Sequence, residues 1–98
     1  MRENKFQSDL IKELKTRFPG CIVKKQPTVF KQGDPDLLIL YKDTWAMLEC
    51  KKSDHAAYRP NQEYYISEYD KMSFARTIYP ENKEEVLDDL QRAWESRR

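Results

Sequence analysis

Leu37-Leu38-Ile39-Leu40-Tyr41 and Trp45-Ala46-Met47-Leu48 are apolar at every position, and only Lys42-Asp43-Thr44 lies between them. Successive residues of an extended strand face opposite sides, so strands that are apolar on both sides must be covered on both. The short polar connection suits an antiparallel hairpin. Strands over Asp36 to Tyr41 and Trp45 to Lys51, with helices on each side of the sheet, follow from this one feature. Each strand also carries charge at one end, Asp36 in the first and Glu49-Cys50-Lys51 in the second. Charge beside buried apolar surface is costly unless a partner or a metal compensates it.

The flanking segments supply the helices. Phe6, Leu10, Ile11, Leu14 and Phe18 recur at helical spacing until Pro19-Gly20 stops the run. Cys21 to Lys25 is a short β-prone segment, followed by an aperiodic loop from Gln26 to Gly33. After a polar loop from Ser53 to Arg59, Pro60 suits the first turn of a second helix, and Gln62, Tyr65, Ile66 and Tyr69 share one of its faces. Phe74 to Tyr79 returns as a strand. Asn82 is placed to cap a last helix with the stripe Val86, Leu87, Leu90, Ala93 and Trp94. The expected order is αβββαβα, an α/β domain.

With 98 residues the chain has room for one modest core, so residues 1–98 read as a single domain. No window reaches the length of a membrane span, and the polar opening Met1-Arg2-Glu3-Asn4-Lys5 is unlike a secretory signal, so an intracellular, non-secreted location is expected. Cys21 and Cys50 lack metal or redox spacing and read as buried and reduced. The lone His55 reads as a surface loop residue. A net charge of +1 hides an uneven distribution, because Lys24, Lys25, Lys31, Lys42, Lys51, Lys52 and Arg59 crowd the half of the chain around the charged strand ends. Lys24, Lys25, Lys31, Lys52 and Arg59 are the candidate phosphate contacts.

The chemistry lies at the hairpin's open end. Glu49 and Lys51 are two apart and share a face, while Asp36 starts the partner strand beside them. Two close carboxylates repel unless a cation sits between them, and such oxygen donors, with the Cys50 backbone carbonyl, suit Mg²⁺ or Mn²⁺ better than zinc. Lys51 would orient a water or neutralise charge on a phosphodiester undergoing attack. Gln62, on the inward face of the second helix, would hydrogen-bond that water or a phosphate oxygen. Pro35 stiffens the backbone before the ligand Asp36. A lone Glu-x-Lys is most often an ordinary ion pair. The upstream Pro-Asp on the partner strand makes the difference.

Pro35-Asp36, followed after thirteen positions by Glu49-Cys50-Lys51, resembles the signature of the PD-(D/E)xK nuclease superfamily. Within it the chain looks most like the small phage-type virus-type replication-repair nuclease (VRR-NUC) domains and their Holliday-junction-resolvase-like relatives, through Lys25, Gly33 and Arg59-Pro60-Asn61-Gln62. The resemblance covers most of the chain. It implies a restriction-endonuclease-like αβββαβ core, with a mixed four-stranded sheet flanked by helices, plus a C-terminal helix. It further implies Asp36 and Glu49 as metal ligands, Lys51 as the catalytic lysine, Gln62 as an auxiliary, and Glu3 as the candidate for the acidic residue that many members carry on the first helix. A tyrosine found in some relatives four residues after the helix glutamine is here Ile66.

The resulting expectation is an Mg²⁺- or Mn²⁺-dependent DNA endonuclease, selective for branched, Holliday-junction-like DNA, phage-encoded, acting in the host cytoplasm and needing no small-molecule cofactor. One site cuts one strand, so symmetric cleavage calls for a homodimer. Tyr58, Tyr64, Tyr65 and Phe30 are aromatics available for an interface or for stacking on bases. The alternative is a DNA-binding or assembly module that keeps the fold without cutting. Loss of Asp36, Glu49 or Lys51 would be its usual mark, and all three are present.

Overall fold

The computed structural model describes residues 3–27, 34–58 and 61–96. Helix α1 (Glu3–Arg17) is followed by strands β1 (Ile22–Lys25), β2 (Leu37–Tyr41) and β3 (Thr44–Cys50), helix α2 (Gln62–Met72), strand β4 (Ala75–Ile78) and helix α3 (Lys83–Glu95). The sheet order is β1-β2-β3-β4. The first two pairings are antiparallel and β3–β4 is parallel, as a connection through α2 allows. The chain is thus α/β with a mixed four-stranded sheet and a C-terminal helix.

The apolar stripe of α1 ends where the chain must turn. Phe18 still donates its N–H to the Leu14 carbonyl (2.8 Å), and Gly20 then adopts φ 91°, a left-handed conformation that glycine reaches without a Cβ penalty. Phe6, Leu10, Leu14 and Phe18 meet Leu37, Ile39, Ala46, Leu48 and Cys50 on one side of the sheet, and Val86, Leu87, Leu90 and Trp94 of α3 complete that core. Phe18, Tyr41 and Trp94 close its far end, with Tyr41 stacked on Trp94 at 5.0 Å. Both cysteines are free and buried, and burial pushes the Cys21 thiol above its ordinary range. His55 is exposed.

The other side of the sheet is covered less completely than the apolar runs predict. Helix α2 lies over β3 and β4, where Tyr69 meets Trp45 edge-on at 6.3 Å, yet Gln62 is its one buried residue. Leu38, Leu40, Trp45 and Met47 stay half-buried and Ile22 is exposed. No helix among the described residues is long and apolar enough to cross a membrane.

Several expected boundaries shift for identifiable reasons. The hairpin turn is Lys42-Asp43, with Thr44 already in β3; Lys42 takes φ 54° in place of a glycine. Strand β2 begins at Leu37, because at Asp36 the backbone-to-backbone ladder with β3 gives way to bonds that involve side chains. Pro60 lies outside the described residues, and α2 starts at Gln62. Asn82 does not cap α3 with its side chain: its Oδ1 accepts from the Tyr79 N–H (2.8 Å) and its Nδ2 donates to the Thr77 carbonyl (3.1 Å), tying β4 to the helix start.

The ion pair joining α3 to α1 yields a first test. Lys83 Nζ donates to Glu13 Oε1 at 2.8 Å, and this hydrogen bond raises the Lys83 pKa. A lysine with a raised folded-state pKa contributes its full stabilisation below the ordinary lysine range and loses it as pH climbs through the folded value. Lys83→Ala is expected to destabilise by about 0.5–1 kcal/mol at neutral pH, because the pair is partly exposed. Urea unfolding at neutral pH and above the lysine range checks this; an equal loss in both would contradict it.

Candidate active site

Extending the β2–β3 register by one pair past Leu37↔Leu48 sets Asp36 opposite Glu49. Two hydrogen bonds hold them there in reciprocal fashion. The Asp36 N–H donates to Glu49 Oε1 (3.1 Å), and the Cys50 N–H donates to Asp36 Oδ2 (3.0 Å). Each carboxylate thus accepts from a backbone N–H of the other strand. The Cys50 N–H faces Asp36 whereas the Lys51 N–H reaches the Ile78 carbonyl (2.9 Å), so the carbonyl of Cys50, directed as its own N–H in an extended strand, is turned toward Asp36 as well.

Lys51 lies beyond the end of β3 and points to the same side as Glu49, with Nζ 3.3 Å from Glu49 Oε2. Gln62 bridges them: its Nε2 donates to Glu49 Oε2 (2.7 Å) and its Oε1 accepts from Lys51 Nζ (2.9 Å). Glu49 is 1% exposed, Lys51 7% and Gln62 0%. A charged pair this deeply enclosed is tolerable only with its remaining hydrogen-bonding capacity engaged, which is what Gln62 supplies. Through one N–H and one oxygen lone pair the Gln62 amide orients both Glu49 and Lys51, a role beyond the expected contact with a water or phosphate.

The turn before Asp36 is anchored from two sides. Gln26 donates its N–H to the Asp36 carbonyl (2.7 Å) and its Nε2 to the Pro35 carbonyl (3.3 Å), while Tyr69 of α2 donates its hydroxyl to Asp34 Oδ1 (2.8 Å). Sequence reasoning missed these roles. Both had a signal: Tyr69 shares the helical face of Gln62, and Gln26 extends the β1–β2 register to a position beside Asp36.

Among the described residues no group of three or more His, Cys, Asp or Glu side chains gathers to hold a metal. The donors at Asp36 and Glu49 are two carboxylates and a backbone carbonyl, all oxygen. Such a set fits Mg²⁺ or Mn²⁺, which take one or two carboxylates and keep several waters, and does not fit zinc.

Compared with protein-family models, curated proteins and solved structures, the chain matches none.

The remaining candidates distribute unevenly. Lys24 is exposed on β1 and pairs with Leu38, on the face that carries Asp36 and Glu49. Lys25 pairs with Leu37 and so belongs to the opposite face, at the exposed sheet edge. Lys52 is exposed directly after Lys51. Lys31, Gly33, Arg59 and Phe30 lie outside the described residues, and Glu3 opens α1 with its side chain outside them too. Tyr58 and Tyr64 are exposed at 41% and 62%, and Tyr65 is half-buried.

Proposed function

We propose that this chain is an Mg²⁺- or Mn²⁺-dependent DNA endonuclease of the PD-(D/E)xK type, resembling phage VRR-NUC domains and selective for branched DNA. The carrying observation is the reciprocal pairing of Asp36 and Glu49 across an open hairpin end, with Lys51 against Glu49 on the same face. Asp36, Glu49 and the Cys50 carbonyl would hold the ion. When bound, it supplies a polarised phosphoryl oxygen and a water of lowered pKa. Gln62 keeps the Glu49 carboxylate and the Lys51 ammonium in fixed relation, which removes the reorganisation they would otherwise undergo during attack. Lys51 offsets the negative charge that builds on the phosphorus oxygens, and Lys24 and Lys52 meet flanking phosphates. One such site cuts one strand; paired incisions call for a two-fold dimer. A nuclease acting on DNA in a host cell fits an intracellular location, where two free cysteines stay reduced.

Labelled branched, nicked and linear DNA incubated with the protein in Mg²⁺, Mn²⁺ or EDTA tests this reading. Metal-dependent incision, strongest on branched DNA, is the expected result. The closed bonding of Lys51 favours a second reading, a module that binds DNA without cutting, and binding with no incision under any metal would establish it instead.

A further inference from the structure

An ammonium group has three N–H donors; on Lys51 two of them donate to protein acceptors, and a carboxylate stands beside the nitrogen as its ion-pair partner. Glu49 Oε2 lies at 3.3 Å, Gln62 Oε1 at 2.9 Å and the Ala57 carbonyl at 3.0 Å. The first two belong to the buried network between β3 and α2. The third comes from the connecting loop, and is the one partner that can leave without dismantling that network. The next loop residue, Tyr58, sets its ring centroid 5.3 Å from the same nitrogen, within cation–π range. Its hydroxyl is 2.8 Å from Thr77 Oγ1 on β4, and Thr77 is the register partner of Glu49. The ring is thereby tied to the strand bordering the carboxylate.

We infer that Tyr58 is a positioning residue for Lys51: its ring, anchored through Thr77, holds the ammonium on the Glu49–Gln62 side while a substrate oxygen replaces the Ala57 carbonyl. A lysine that gives up one of its two hydrogen-bond acceptors to an incoming anion tends to swing after it. The negative face of an aromatic ring attracts the cation without occupying an N–H, so it restrains the group and leaves the donor available. The loop thus closes the site at rest, and its tyrosine keeps the geometry when the site opens. The catalytic consequence rests on the nuclease reading; the restraint on Lys51 does not.

Competitive acylation of amines by an acetylating reagent, read by peptide mass spectrometry, measures the restraint directly, with exposed Lys52 as the internal reference. In the native chain Lys51 reacts far more slowly than Lys52. Tyr58→Leu is expected to raise the Lys51-to-Lys52 ratio roughly fivefold, in line with a cation–π contact of ordinary strength. Tyr58→Phe and Thr77→Val should raise it by equal, smaller amounts, and the double variant by no more than either, since both remove one anchor. On branched DNA, Tyr58→Leu is expected to lower kcat about tenfold and leave KM within about twofold. An unchanged acylation ratio in Tyr58→Leu overturns the proposal, as does a loss that falls in KM, which would make Tyr58 a direct DNA contact. A native protein that cuts no DNA sinks the nuclease reading, while the acylation ratios still decide the role of Tyr58.

Discussion

Glu49→Gln is expected to reduce metal-dependent DNA cleavage by a factor of roughly 10²–10³ or more, the loss typical when a preorganised charged group is taken from a transition state. The substitution keeps the shape of the side chain and removes its charge. It also disturbs the local bonding in a defined way. One carboxylate oxygen accepts from the Asp36 N–H and the other from Gln62 and Lys51, so both ends of the group must be acceptors. An amide offers one acceptor end, and its NH₂ must face a donor. A destabilisation of about 1–3 kcal/mol should therefore accompany the loss of activity, as for a buried donor left unmet. Cleavage of branched DNA, with circular dichroism to confirm folding and urea unfolding for stability, separates the effects. Retention of cleavage within tenfold of the native protein would remove Glu49 from the chemistry.

The second large effect concerns what the polar cluster does to the fold. Lys51→Met strands the buried Glu49 carboxylate with its cation removed, and breaking an enclosed pair from one side typically costs about 3–5 kcal/mol. Replacing Glu49, Lys51 and Gln62 together by Leu, Met and Met eliminates the buried charges and the bridging amide at once. Buried ion pairs exchanged for apolar groups of similar volume are often neutral or stabilising. The triple variant is thus expected to be more stable than Lys51→Met alone by at least about half of that loss, while neither variant cuts DNA. Denaturant unfolding gives the comparison. A triple variant no more stable than the single would mean that the cluster contributes to folding in its own right, and the case for a site retained for chemistry would weaken accordingly.

The hairpin was legible because a short connection between two apolar runs forces them to pair, whereas its register depends on the turn being Lys42-Asp43 and one residue shorter than expected. Once Leu37 pairs with Leu48, Asp36 must face Glu49. The helices of the main core were equally plain from the spacing of Leu10, Leu14, Leu87 and Leu90. Helix α2 was legible in position and less so in its packing. The pattern on both faces of β2 and β3 implied full cover, whereas α2 buries a glutamine and leaves Leu38 and Leu40 half-buried. The positive φ of Lys42 carried no signal, since nothing at that position marks a left-handed residue. Ala57 and Tyr58 were hidden for a different reason. A loop carbonyl is chemically the same at every residue, and which one meets Lys51 depends on a backbone path that periodicity does not encode.

Strand β1 borders the sheet with four residues, two of them the exposed lysines Lys24 and Lys25. A strand at the edge of a sheet is a template onto which a second chain can add, and short length with lysine is a common protection against such growth. Two copies meeting along β1 would bring a pair of ammonium groups, one from each copy, to each face of the joined sheet. Self-association by continuing the sheet across that border is therefore disfavoured, and this margin should resist fibril-like stacking even in concentrated solution.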